Sequence, residues 1–172
     1  MVGATAGCAI YRSMDIVDEL LQRLEPQANR TVPGPPQLGV AILTCMDTRI
    51  DPARMFRLVP GDAHILRNAG GVVTDDVLRS LLLSQRFLGS RAVMVVHHTK
   101  CGVLNLSDDQ VKAELQAEVG MRPPFALEGF TDLDADVRHS MARIRTCPWL
   151  PHRDNVRGFV LDVDDGQLRE VL

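Results

Sequence analysis

Four short runs of apolar, mostly branched residues set the limits on what this chain can fold into. Gly39-Val-Ala-Ile-Leu-Thr44 is continuously apolar, which suits a strand buried on both faces. Ala63-His-Ile-Leu-Arg67, Ala92-Val-Met-Val-Val96 and Arg157-Gly-Phe-Val-Leu-Asp-Val163 read as three further strands. Helical patterns separate them. Thr74 precedes Asp75 and Asp76 and then Val77, Leu78, Leu81 and Leu82, so a capped helix with acids in its first turn is predicted up to Gly89. Two more helices are predicted at about 108–119 and 132–145, and residues 167–171 are expected to turn back as a short edge strand. Strands alternating with helices imply an α/β fold: a single domain, a mainly parallel central sheet of about four strands flanked by helices, and an antiparallel edge strand.

Ahead of this body, Ser13 is placed to cap a helix running to Leu24, with Val17, Leu20, Leu21 and Leu24 at helical spacing. Pro26, Pro33, Pro35 and Pro36 then make residues 25–37 an extended arm. The expected division is an N-terminal helix and proline-rich arm over 1–36 and an α/β body over 37–172. A length of 172 residues suits one folded domain that needs no disulfides. Cys8, Cys45, Cys101 and Cys147 are scattered, so a disulfide framework is a poor reading. The first dozen residues carry no basic leader and no apolar core of signal-peptide length, and no apolar run reaches the ~18 residues of a membrane span. A cytoplasmic, reducing setting is therefore expected. A net charge of −3 with 4% aromatic residues argues against a nucleic-acid partner.

The chemistry concentrates in Thr44-Cys-Met-Asp-Thr-Arg49 and His98-Thr-Lys-Cys101-Gly102, near the ends of the first and third strands, where ligands bind in such sheets. His98 and Cys101 are spaced to wrap one ion, and Cys45 would join them from the neighbouring strand end. Two thiolates and an imidazole give three ligands and leave one position open, the pattern of catalytic zinc. Asp47 and Arg49 can share one side of an extended segment, where the guanidinium can hold the carboxylate by two parallel bonds. So held, Asp47 can only accept a hydrogen bond; released, it becomes a candidate fourth ligand that closes the site.

These residues resemble the β-class carbonic anhydrases, on Cys45-x-Asp47-x-Arg49 followed by His98-x-x-Cys101-Gly102. The resemblance is strong over about residues 37–105, and is greatest to short bacterial and actinobacterial members, which also carry Arg-Asn-Ala-Gly after the second strand. It implies one zinc per chain on Cys45, His98 and Cys101, and reversible hydration of carbon dioxide to bicarbonate by a zinc-bound hydroxide oriented by the Asp47–Arg49 dyad. It implies Val72 and the backbone of Gly102 beside the substrate. It implies a homodimer or homotetramer embraced by the N-terminal arm. Trp149 and Tyr11, the sole residues of their kinds, stand at no matching position for the regulatory bicarbonate site of some members, so that regulation is not expected.

Two other functions compete. Relatives in the same family hydrolyse carbonyl sulfide or carbon disulfide with the same kind of site. A non-catalytic zinc or thiol-redox module would instead use Cys45 and Cys101 near Arg49 and Lys100. Of the remaining residues, His97 is read as structural, since strand alternation points it away from His98. His64, His139 and His152 are read as packing or solvent residues, Cys8 and Cys147 as bystanders, and Asp75 and Asp76 as helix-start acids. Asn68-Ala-Gly-Gly71 lacks the spacing of a dinucleotide loop.

Overall fold

The computed structural model describes residues 16–25 and 32–172, and the chain divides into two compact units, Met1–Thr31 and Val32–Leu172. In the first, Ile16–Gln22 forms helix α1, with Asp18 and Glu19 in its first turn and an ion pair from Glu19 to Arg23. Ser13, expected to cap this helix, lies outside the described residues, as do Cys8, Tyr11 and Pro26.

The second unit is built on one five-stranded sheet. Strands β1 (Val40–Cys45), β2 (Ala63–Asn68), β3 (Ala92–His98) and β4 (Val156–Leu161) are parallel, and β5 (Leu168–Val171) is antiparallel to β4. Their spatial order is β2-β1-β3-β4-β5. The chain passes from β1 to β2 on one side, then crosses to β3 on the other side of β1. A crevice therefore opens beyond the carboxyl ends of β1 and β3, where connections leave in opposite directions. The edge strand appears where residues 167–171 were expected to turn back.

The helices also fall near their expected places. α3 (Asp75–Phe87) is capped by Thr74, whose hydroxyl accepts from Val77 N, and Asp75 and Asp76 occupy its first turn. α4 (Asp108–Val119) starts at Ser107 and ends at Gly120 in left-handed conformation. α5 (Leu133–Thr146) is capped by Asp132, which accepts from Ala135 N at 2.9 Å. One short helix, α2 (Pro52–Phe56), and a single 3-10 turn at Ala69–Gly71 lie where no element was predicted. Five residues starting at a proline have too little periodicity to stand out. Strand β3 also runs two residues beyond the expected Val96, which brings both histidines into the strand.

Two apolar clusters hold the sheet. One joins Leu43, Val95, Leu81, Val137 and Ile144, and so fastens α3 and α5 to the strands. The other contains Ile42, Ile50, Val72, Val96, Phe130 and Leu161, together with Cys45 and Cys101. Burial of this kind contributes about 25 cal/mol per Å² of apolar surface. The second cluster also makes the surroundings of the two thiols apolar. Cys147 packs in the first cluster as a buried free thiol.

Candidate metal centre

Cys45 is the last residue of β1 and His98 the last of β3, so both lie at the carboxyl ends of neighbouring strands. Cys101 follows through a tight turn in which Lys100 takes φ of 56°. The ligand atoms of Cys45, His98 and Cys101 all lie within 4.8 Å of one another, and all three residues are buried. The two sulfur atoms are 4.0 Å apart. Thiolates sharing one tetrahedral zinc at about 2.3 Å each would sit about 3.8 Å apart.

The protonation of His98 suits a ligand. Its Nδ1 lies 2.8 Å from Thr99 O, a carbonyl that can only accept, so Nδ1 carries the hydrogen. That leaves Nε2 with a lone pair, and Nε2 is buried without a hydrogen-bond partner among the described residues. A buried acceptor left unsatisfied costs about 1–3 kcal/mol. A cation between Nε2 and the two sulfurs removes that cost, so the donor set fits zinc. Burial raises the Cys45 thiol, but the adjoining His98 ring and the backbone N–H groups of Asp47 and Gly70 outweigh it and bring it down to about 7. Burial pushes the Cys101 thiol up, and the neighbouring Cys45 adds to the rise.

Asp47 and Arg49 meet as the spacing suggested. Arg49 Nε donates to Asp47 Oδ1 at 2.9 Å and one terminal nitrogen donates to Oδ2 at 2.7 Å. Arg49 N also donates to Oδ1 at 3.0 Å. These side-chain and backbone bonds hold the Asp47 carboxyl well below the usual carboxylate range. The same guanidinium reaches Lys100 O at 3.0 Å, which ties the dyad to the Cys101 turn. Asp47 Oδ2 stands 3.9 Å from His98 Nε2. Lys100 itself is exposed and pairs with Asp164.

The expected wall residues differ in setting. Val72 is 4% exposed and packs in the apolar cluster of the two thiols, whereas Gly102 is exposed. Gly70 and Gly71 are required by conformation, with φ of 82° and 70°. A Cβ on Gly71 would meet Cys45 N at 2.8 Å.

Two residues shape this region without having been singled out as single side chains. Arg67 donates through Nε to Cys45 O at 3.0 Å and through a terminal nitrogen to Asp47 O at 2.7 Å, clamping the segment that leaves β1. Asn68 Nδ2 donates to Val72 O at 2.9 Å. Their only sequence signal was the Arg-Asn-Ala-Gly run, which says nothing of where the side chains point. His97 and His98 face opposite ways, as alternation required. His64 is a packing residue, its Nδ1 2.7 Å from Ser84 Oγ.

The parallel sheet brings two thiols and a lone-pair imidazole nitrogen together at its strand ends, in an α/β fold with a Cys-His-Cys group that could hold a metal ion. The family model for carbonic anhydrase matches residues 40–124. Beta-carbonic anhydrase 1 of Mycobacterium tuberculosis is 48% identical over 140 residues, covering 81% of this chain and 86% of that protein. A carbon disulfide hydrolase of Acidianus sp. is 32% identical over 182 residues, covering 91% and 89%. The crystal structure of carbonic anhydrase from Streptococcus mutans superposes with a TM-score of 0.79 at 37% identity, over 91% of this chain and 94% of that one. The chain belongs to the β-carbonic anhydrase family.

Proposed function

We propose that this protein catalyses the reversible hydration of carbon dioxide to bicarbonate and a proton, using one zinc ion held by Cys45, His98 and Cys101. The observation that carries this reading is the unpartnered lone pair of His98 Nε2, buried beside two thiols and 3.9 Å from a carboxylate that Arg49 grips by both oxygens. A bound zinc supplies acidified water near neutral pH. Asp47, kept ionised by Arg49, has no hydrogen to give. It accepts one from the attacking oxygen and fixes which lone pair faces the substrate carbon. Arg49 keeps the carboxylate in place through two parallel bonds, and its bond to Lys100 O fixes the guanidinium in turn. Freed from Arg49, Asp47 can become the fourth ligand and close the site. Val72 offers the substrate an apolar wall from which water is excluded, and Gly102 leaves the rim open. This suits a small linear molecule with little to hydrogen-bond.

The protein is proposed to assemble as a homodimer or homotetramer, with the arm over residues 1–36 lying on a partner subunit. A cytoplasmic location is proposed; among the described residues no helix is long and apolar enough to cross a membrane. Stopped-flow measurement on zinc-loaded protein is expected to give fast hydration that is lost in Cys45→Ala and Asp47→Ala. A folded, zinc-replete protein inactive across pH 7–9 would refute the proposal.

The relatives named carbon disulfide hydrolase support a second reading, in which the same residues act on carbon disulfide or carbonyl sulfide. Both are isosteres of carbon dioxide. The higher identity to a carbonic anhydrase, 48% against 32%, favours carbon dioxide. Hydrogen sulfide release measured beside the hydration rate separates the two. A thiol-redox module has less support, because it leaves the His98 lone pair and the Asp47–Arg49 grip without a role. Zinc-free material with a Cys45–Cys101 disulfide would favour it.

A further inference from the structure

His97 has no part in the chemistry described above, yet it is fully buried and both of its ring nitrogens face oxygen atoms. Its Nε2 lies 3.1 Å from Gly71 O. A carbonyl only accepts, so Nε2 carries the hydrogen. Nδ1 then presents a lone pair, and it faces Asp136 Oδ2 on α5 at 3.3 Å. Neither of these two buried atoms has another hydrogen-bond partner among the described residues. Two bare acceptors facing each other at that distance inside a protein are costly, and a hydrogen between them removes the cost. Burial raises the Asp136 carboxyl to about 6, which favours the acid as the donor.

The turn that His97 holds is the one that serves the metal centre. Gly71 lies against the backbone of Thr44 and Cys45, where a Cβ would meet Cys45 N at 2.8 Å and Thr44 C at 2.9 Å. The Phe130 ring stacks on His97 with centroids 5.8 Å apart, and it would stand 3.6 Å from a Cβ on Gly70. The ring thus faces Asp136 on one side, is backed by Phe130, and meets the Gly71 carbonyl of the turn.

We propose that His97 and Asp136 are positioning residues for the metal centre: Asp136 orients His97, and His97 holds the Ala69–Gly71 turn against the backbone of Thr44 and Cys45, which sets where the Cys45 sulfur points. The proposal rests on Cys45 being a metal ligand. It extends outer-shell support from the ligands' immediate neighbours to α5, 91 residues along the chain from Cys45.

The test uses the full chain loaded with cobalt(II) in place of zinc, read by thiolate-to-cobalt charge-transfer absorption, and zinc affinity measured against a competing chelator. His97→Gln keeps an N–H for Gly71 O, and Asp136→Asn keeps a donor for Nδ1. Both are expected to retain the wild-type band and affinity. His97→Leu and Asp136→Ala are expected to shift the band and weaken zinc binding roughly 10- to 100-fold, as outer-shell losses do. Thermal midpoints of the zinc-free proteins are measured alongside. If His97→Leu or Asp136→Ala lowers that midpoint but leaves band and affinity unchanged, the residues are structural only and the proposal is overturned. Should His97→Leu fail to fold, the Asp136→Ala and Asp136→Asn pair decides by the same readouts. If the wild-type protein shows no thiolate-to-cobalt band, the metal-centre reading itself fails and takes this one with it.

Discussion

Replacing Gly71 by alanine would strike the tightest backbone approach at the metal centre. Gly71 has φ of 70°, a region in which an L side chain costs about 1–2 kcal/mol. Its missing Cβ would lie 2.8 Å from Cys45 N, 2.9 Å from Thr44 C and 3.2 Å from Thr44 Cα. These are backbone atoms of a strand paired on both sides, so no flexible side chain can move aside. Overpacking of this sort adds about 1–3 kcal/mol. The sum is about 2–5 kcal/mol. At about 2–4 °C per kcal/mol for a chain of this size, the thermal midpoint should fall by at least roughly 4 °C. Because the contact bears on Cys45 itself, zinc affinity should fall as well. Gly102→Ala is the control: nothing stands within 4 Å of its Cβ, so stability should change by less than about 0.5 kcal/mol. Urea denaturation and chelator competition read both quantities. A Gly71→Ala protein within 1 kcal/mol or so of wild type, with unchanged zinc affinity, would refute the argument that this approach holds the ligand in place.

Other outcomes follow from the same geometry. Arg49→Ala should free Asp47 from both parallel bonds, return its carboxyl toward the ordinary range, and lower the hydration rate most at the acid end of the pH profile, where Asp47 would then take up a proton. An unaltered profile measured by stopped flow would count against the dyad. Asp108 accepts from Leu127 N at 2.7 Å and Gly129 N at 3.0 Å, and these bonds lower its pKa. A carboxyl depressed in the folded state stabilises above its unfolded value of 3.8 and loses that stabilisation as pH falls through its folded value. Asp108→Ala should therefore cost about 1–3 kcal/mol at pH 7, and the gap from wild type should close in strong acid, as followed by denaturation at several pH values. Removal of zinc by a chelator should lower the thermal midpoint. A metal present at a thousand times its Kd contributes about 4.1 kcal/mol, or roughly 8–16 °C here.

The order of elements and the residue types of the metal centre are local properties, and both were readable along the chain. Short runs rich in apolar and branched residues marked β1 to β4; the continuous run of β1 reflects its burial on both faces, whereas β2, at the sheet edge, is only partly buried. The capping residue Thr74 marked one helix start, because it satisfies an amide group of its own first turn. Cys45, Asp47, Arg49, His98 and Cys101 stood out because their chemistry is rare and their spacing short. What packing alone decided is different in kind. The strand order β2-β1-β3-β4-β5 put the ends of β1 and β3 together, and nothing in either segment names its neighbour. The clamp of Arg67 on Cys45 O and Asp47 O spans 22 and 20 residues, and the meeting of His97 with Asp136 spans 39. Hydrogen bonds of that reach leave no local periodicity. They exist only once the sheet and α5 have fixed which atoms face one another.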